Sequence, residues 1–194
     1  MTSTHQGFPV NASIARSVSQ LISKSYMMKF STLLAILAAL VIGACEYDVP
    51  ITTDHDIPIN RSFLGTWEAV PHEDDEKTRL QVLEFSDTEY LVHYFEGDES
   101  LYFRAYPITI ENANAIQLEL IGDDNESIDR AKKDRFMVAS IRLLEGKLEV
   151  RTLNTELVST QLADSQSLKD AFIANIKNPE LFNDPGFFRR PAEN

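Results

Sequence analysis

The order of apolar and polar residues along the chain changes three times. From Phe30 to Ala44 there is no charge at all. Glu46 to Arg61 is polar, broken by Pro50 and Pro58, and has no usable period. Beyond Ser62 apolar and polar residues alternate with period two, the signature of strands with one buried face. Only after Arg151 does a helical period appear, with Leu168, Ala171, Phe172 and Ile176 falling on one face.

The period-two region predicts seven short strands. Ile116-Gln117-Leu118-Glu119-Leu120 and Lys147–Arg151 alternate strictly. Glu89–Phe95, Leu101–Ile110 and Phe136–Leu144 are rich in aromatic and branched residues, and Leu64–Val70 and Arg79–Phe85 complete the set. Glu96-Gly97-Asp98 and Glu145-Gly146-Lys147 read as hairpin turns. Strands in succession without intervening helices favour an antiparallel meander closed into a small barrel of seven or eight strands. One C-terminal helix should follow, capped by Asp164 or Ser165, ended at Asn178 before Pro179, and plugging a barrel end or packing on the wall. The tail holds Leu181, Phe182, Phe187 and Phe188 among prolines, and should lie on the surface pinned by those side chains.

The uncharged run is too short to cross a bilayer core, and Lys29 stands just before it, as in a secretory signal. Its end, Ile42-Gly43-Ala44-Cys45, resembles a bacterial lipobox, and the cysteine is the only one in the chain. The resemblance implies a diacylglycerol thioether on Cys45, cleavage before it, and acylation of the new amine. The competing reading is a buried free cysteine at the end of a core helix. Met27 or Met28 would then be the natural start, leaving residues 1–26 as an upstream extension. Their serine-rich, acid-free composition also fits a transit peptide.

Three segments follow from this: 1–44 as extension and signal, 45–61 as an acylated flexible tether, and 62–194 as the barrel domain with its helix and tail. Removing residues 1–44 takes away Arg16, Lys24 and Lys29 and no acids, leaving 150 residues with 15 basic against 30 acidic side chains, net −15. So acidic a chain argues against nucleic acid and against anionic lipid as partners. Membrane attachment would rest on the acyl chains, two or more of which anchor stably.

Phe63-Leu64-Gly65-Thr66-Trp67-Glu68, a Gly-x-Trp on the first strand of a meander, resembles the lipocalin-like barrels. That resemblance implies that Trp67 closes the barrel floor, with an arginine from the last strand stacked on it. By position this would be Arg151, with Arg142 second. Residues 62–190 also resemble a group of uncharacterised bacterial lipoproteins, through GTWE, SDTEYLVHY, YFRAYPI, LNTELV and FNDPGFFRR. No activity comes with that resemblance.

No nucleophile-and-base arrangement stands out, so the expectation is a protein that is not an enzyme and uses no cofactor. His55, His72 and His93 are scattered without metal-ligand spacing, and no metal is expected. Glu73-Asp74-Asp75-Glu76 and Asp123-Asp124-Asn125-Glu126 read as solvated acidic loops. Tyr102, Arg104 and Tyr106 share one strand face and would either line a ligand pocket or form an outer face covered by the helix or the tail. His93 would line the barrel, as a further candidate ligand contact, or pack in a wall. The expected function is that of a lipid-anchored envelope protein, more naturally in the outer membrane facing the periplasm. It would hold a small apolar ligand in its barrel, or dock an envelope protein with a filled one.

Overall fold

The computed structural model describes residues 47–70, 78–97, 99–124 and 135–192, all within one compact unit that runs from Ala44 to the C-terminus. Cys45, the lipobox and residues 71–77 lie outside the described residues.

Eight antiparallel strands follow one another: β1 (Gly65–Ala69), β2 (Arg79–Ser86), β3 (Glu89–Glu96), β4 (Glu99–Ile110), β5 (Ala113–Asp123), β6 (Phe136–Leu144), β7 (Lys147–Leu153) and β8 (Phe182–Arg189). Each pairs with the next, and β8 returns to β1 through Glu68↔Arg189 and Ala69↔Phe188, closing the ring. The expected meander barrel is therefore present. At the β6–β7 hairpin Glu145 and Gly146 both take positive φ, 50° and 78°, the backbone a tight two-residue turn requires.

The eighth strand corrects the expectation of a surface tail. Phe182–Arg189 contains Asn183-Asp184-Pro185-Gly186, which erases its period-two signal, and Asp184 sits at φ 50°. Its register against β7 slips between Val150 and Thr152, so the irregular residues are absorbed by a bulge. Closure forces pairing on this segment despite its weak propensity, because otherwise β1 and β7 would keep open edges.

Register sorts the side chains into two faces. Trp67, Val82, Tyr94, Phe103, Leu118 and Ala139 fall on the enclosed face, all buried. The opposite face of β4 to β7 carries Tyr106, Ile108, Ile110, Ala115, Val138 and Leu153, and forms the larger apolar cluster with Leu168 and Phe172. Those two residues belong to α1 (Ser165–Asn175), so the helix packs on the outer wall and does not plug an end. Asp164 is its N-cap, accepting from the Ser167 amide at 2.9 Å.

The segment expected to be a flexible tether is also corrected. Residues 47–60 form an ordered strap against the barrel wall. Tyr47 exchanges backbone hydrogen bonds with Phe136 at 3.1 and 3.0 Å, and its hydroxyl donates to the Val158 carbonyl at 2.8 Å. Tyr47 and Ile51 are 1% and 2% exposed and belong to the outer-wall cluster. Two large apolar anchors among polar residues leave no period to read, yet bury enough surface to order the chain between them.

Candidate functional site

The strap crosses β3, β4 and β5 over a group of polar side chains that faces outward. Gln117 on β5 lies opposite Tyr106 on β4 in the ladder. Its side chain is fully buried and treats the strap as another strand: Oε1 accepts from the Ile51 amide at 2.6 Å, and Nε2 donates to the Thr52 carbonyl at 3.1 Å. Nε2 also contacts the Tyr106 hydroxyl, which itself donates to the Thr52 carbonyl at 3.1 Å. Burial pushes the Tyr106 hydroxyl well above its ordinary range.

One step along the strap, the His55 ring lies on the Tyr106 ring, centroids 3.6 Å apart. Its Nδ1 is 2.6 Å from Oε1 of Glu89, the first residue of β3. Arg104 on β4 grips the same carboxylate, Nε to Oε2 at 2.7 Å and Nη2 to Oε1 at 2.5 Å. The Arg104 fork, aided by His55 and opposed by burial, holds the Glu89 carboxyl below the usual range. An ionised carboxylate only accepts, so Nδ1 carries the proton. A His–Glu pair of this kind can orient a base. Among the described residues, however, no hydroxyl or thiol is hydrogen-bonded to His55, and the group's hydrogen bonds join the strap to the wall.

Tyr102, Arg104 and Tyr106 thus do share a face, but it is the outer one, and Tyr106 and Arg104 are covered there by the strap through Thr52 and His55, not by the helix or the tail. Tyr106 is buried under the strap and Arg104 is ion-paired, so neither lines the barrel lumen. His93 is also on the outer wall, stacked on Tyr102 at 4.1 Å and against Phe95 at 3.5 Å. Burial lowers its basicity, with Asp124 opposing, and its Nε2 is buried with no hydrogen-bond partner. Asp123 ends β5 and Asp124 follows it; Glu73–Glu76, Asn125 and Glu126 lie outside the described residues. No three His, Cys, Asp or Glu side chains among the described residues converge as a metal site.

The barrel floor has the tryptophan expected of it and a different arginine. Trp67 is 1% exposed and its Nε1 donates to the Phe63 carbonyl at 2.8 Å. The guanidinium over the indole, 3.8 Å from the ring centroid, belongs to Arg190, and it also donates to the carbonyls of Leu64 and Ser62. Gly65, at φ 112°, makes room for it, since a Cβ there would run into the Arg190 guanidinium. Arg151 and Arg142 instead clamp Glu149 on the outer wall, at 3.0 and 2.5 Å. Burial alone would raise the Glu149 carboxyl, but those hydrogen bonds outweigh it and hold it low. The stacked arginine is thus neither Arg151 nor Arg142: Arg190 lies just beyond β8, a strand the period-two pattern did not reveal.

Sequence reasoning missed Tyr47, Ile51, His55, Glu89, Gln117 and Arg190. For Gln117 it read a polar residue in an alternating strand as solvent-facing. The only available signal was the pair Tyr47 and Ile51, large apolar residues in an otherwise polar segment. Compared with known protein families, curated proteins and solved structures, the chain matches none of them.

Proposed function

We propose that the chain is a lipoprotein precursor, cut before Cys45, and anchored by acyl chains on that residue in a bacterial outer membrane facing the periplasm. The barrel acts by binding and not by catalysis. One observation carries the anchor: basic Lys29, the uncharged stretch to Ala44, Ile42-Gly43-Ala44-Cys45, then acidic residues. Between the two binding readings, a filled barrel that docks an envelope protein is favoured. An eight-stranded ring is just wide enough for side chains to fill, and this one carries Trp67, Tyr94, Phe103, Leu118 and Leu148 on its enclosed face. The outer wall meanwhile exposes Phe85 (62%) and Leu83 (42%), with Leu91 paired to Leu83 across β2 and β3. Exposed apolar residues grouped in this way are what a protein partner covers.

The anchor is tested by detergent-phase partitioning and by incorporation of labelled palmitate. Cys45→Ser should move the protein to the aqueous phase and abolish labelling; membrane retention of a correctly cleaved variant would overturn the reading. The barrel is tested with an apolar fluorescent probe. Saturable binding that changes Trp67 emission would favour the ligand reading instead.

A further inference from the structure

We propose that the outer wall of β6, β7 and β8 docks a short acidic segment of a partner protein, in which apolar side chains are flanked by carboxylates. This goes beyond the anchor on Cys45 and uses a different wall from the one that carries Leu83 and Phe85, with β1 between them. Strand register builds the surface. Arg142, Glu149 and Phe187 lie opposite one another across the three strands, and Leu144 pairs with Lys147 two residues further along. Leu148 pairs with Phe188, which sets Arg189 beside Lys147. Neighbouring strands stand about 4.8 Å apart and alternate residues about 7 Å apart, so the wall measures roughly 10 by 7 Å. That is the length of about three residues of extended chain.

The two arginines are held ready. Glu149, only 3% exposed, takes the Nε–Nη2 edge of Arg142 on Oε2 at 2.8 and 2.5 Å. It takes the same edge of Arg151 on Oε1 at 3.1 and 3.0 Å. One carboxylate thus orients two guanidinium groups and neutralises one charge of the two. Among the described residues neither Nη1 is hydrogen-bonded, which leaves an edge of each for a second carboxylate. Lys147 and Arg189 are exposed, and neither is ion-paired among the described residues. Phe187 and Leu144, 42% and 43% exposed, stand among these cations. Four cations against one buried carboxylate is the reverse of the chain from Cys45, where acids outnumber bases two to one. Glu145 and Asp184 stand at the margin, and Glu68 beside Arg189 is itself opposite Arg79. A long polyanion or an anionic bilayer would carry charge well past this wall and meet the repulsion of the rest of the surface. A short segment keeps its carboxylates within the roughly 8 Å screening length and meets the wall alone. A second copy fits poorly, since two-fold pairing would set these cations against themselves.

The probe is the peptide Asp-Phe-Asp-Asp-Leu-Asp, blocked at both ends and carrying an uncharged dye, titrated with the Cys45→Ser chain and followed by anisotropy. Binding should saturate and should weaken severalfold on raising salt. Lys147→Glu with Arg189→Glu should weaken it by about tenfold or more, and Lys147→Glu alone or Phe187→Ser severalfold. Lys169→Glu with Lys177→Glu changes the net charge equally, on and beyond α1, and should leave it unaltered. Circular dichroism and Trp67 emission establish that each variant is folded; should the double variant fail, the two single ones decide. Absence of saturable binding, equal binding of the peptide with asparagine in place of aspartate, or binding indifferent to Lys147→Glu and Phe187→Ser would overturn the proposal. So would self-association of the chain that Lys147→Glu abolishes, which would assign the wall to a second copy. The readout needs neither acylation nor the Leu83–Phe85 surface, so failure of either of those readings leaves this result standing, and the reverse also holds.

Discussion

Gly65 and Trp67 act together with Arg190, which stands far from both in sequence. The glycine clears a space, the arginine fills it, and the indole is sealed beneath. Trp67 emission should be blue-shifted in the native protein and move red on unfolding. Trp67→Ala should cost about 3–5 kcal/mol and Arg190→Ala about 1–2 kcal/mol, measured by denaturant unfolding. The two losses should be less than additive, since they share one contact. Arg151→Ala should leave the emission unchanged, because that side chain is held by Glu149. A red-shifted native spectrum in Arg151→Ala would contradict this assignment. Gln117 is the second decisive residue. Gln117→Ala removes the acceptor of the Ile51 and Thr52 amides and the donor to the Thr52 carbonyl, and each unpaired buried group costs about 1–3 kcal/mol. Limited proteolysis should then cut within 47–60 faster than in the parent protein, while the barrel stays folded by circular dichroism.

At the scale of elements, β8 and the strap are the two segments whose order depends on the rest of the fold. Ending the chain after Asn178 would remove the partner of both β1 and β7 and uncover Trp67. The shortened protein should aggregate on size-exclusion chromatography and show a red-shifted emission. The strap instead depends on the charge of Glu89. Its folded carboxyl is held below the ordinary value, so the stabilisation it gives is present above the unfolded range near about pH 4. It is lost as pH falls through the lower folded value. Glu149 has the same sign. Acidification below about pH 4 should therefore release the strap, seen as faster amide exchange in 51–60. In Glu89→Gln the exchange rate should already be raised at neutral pH and should respond less to acid. An unchanged neutral-pH rate in that variant would show that the Glu89 ion pairs do not hold the strap.

For the molecule as a whole, charge and anchor oppose each other. The chain from Cys45 carries net −15, yet the proposed acyl anchor holds it near a bilayer. The Cys45→Ser chain should not co-sediment with anionic phospholipid vesicles at low salt, nor at about 0.15 M salt, where the screening length is roughly 8 Å. Co-sedimentation would show a route to lipid other than the acyl chains. Among the described residues no helix is long and apolar enough to cross a membrane.

What the sequence determined by itself was everything carried by local pattern. Strict alternation in Ile116–Leu120 and Lys147–Arg151, the Gly-containing turns and the Leu168–Ile176 face gave seven strands, one helix and the meander, because each of those signals needs only near neighbours. Trp67 was legible for the same reason, through its spacing from Gly65. The tertiary structure decided what depends on residues distant in the chain. Phe182–Arg189 became a strand because the open edges of β1 and β7 demanded one. Arg190 reached Trp67 only through that closure, and the strap was ordered only because Tyr47, Ile51 and His55 met partners dozens of residues away. Which strand face was the inner one was also undecided by period two, which separates faces without saying which is enclosed. Ring closure put Tyr102, Arg104 and Tyr106 on the outside, since the helix and the strap could bury apolar surface only against that wall.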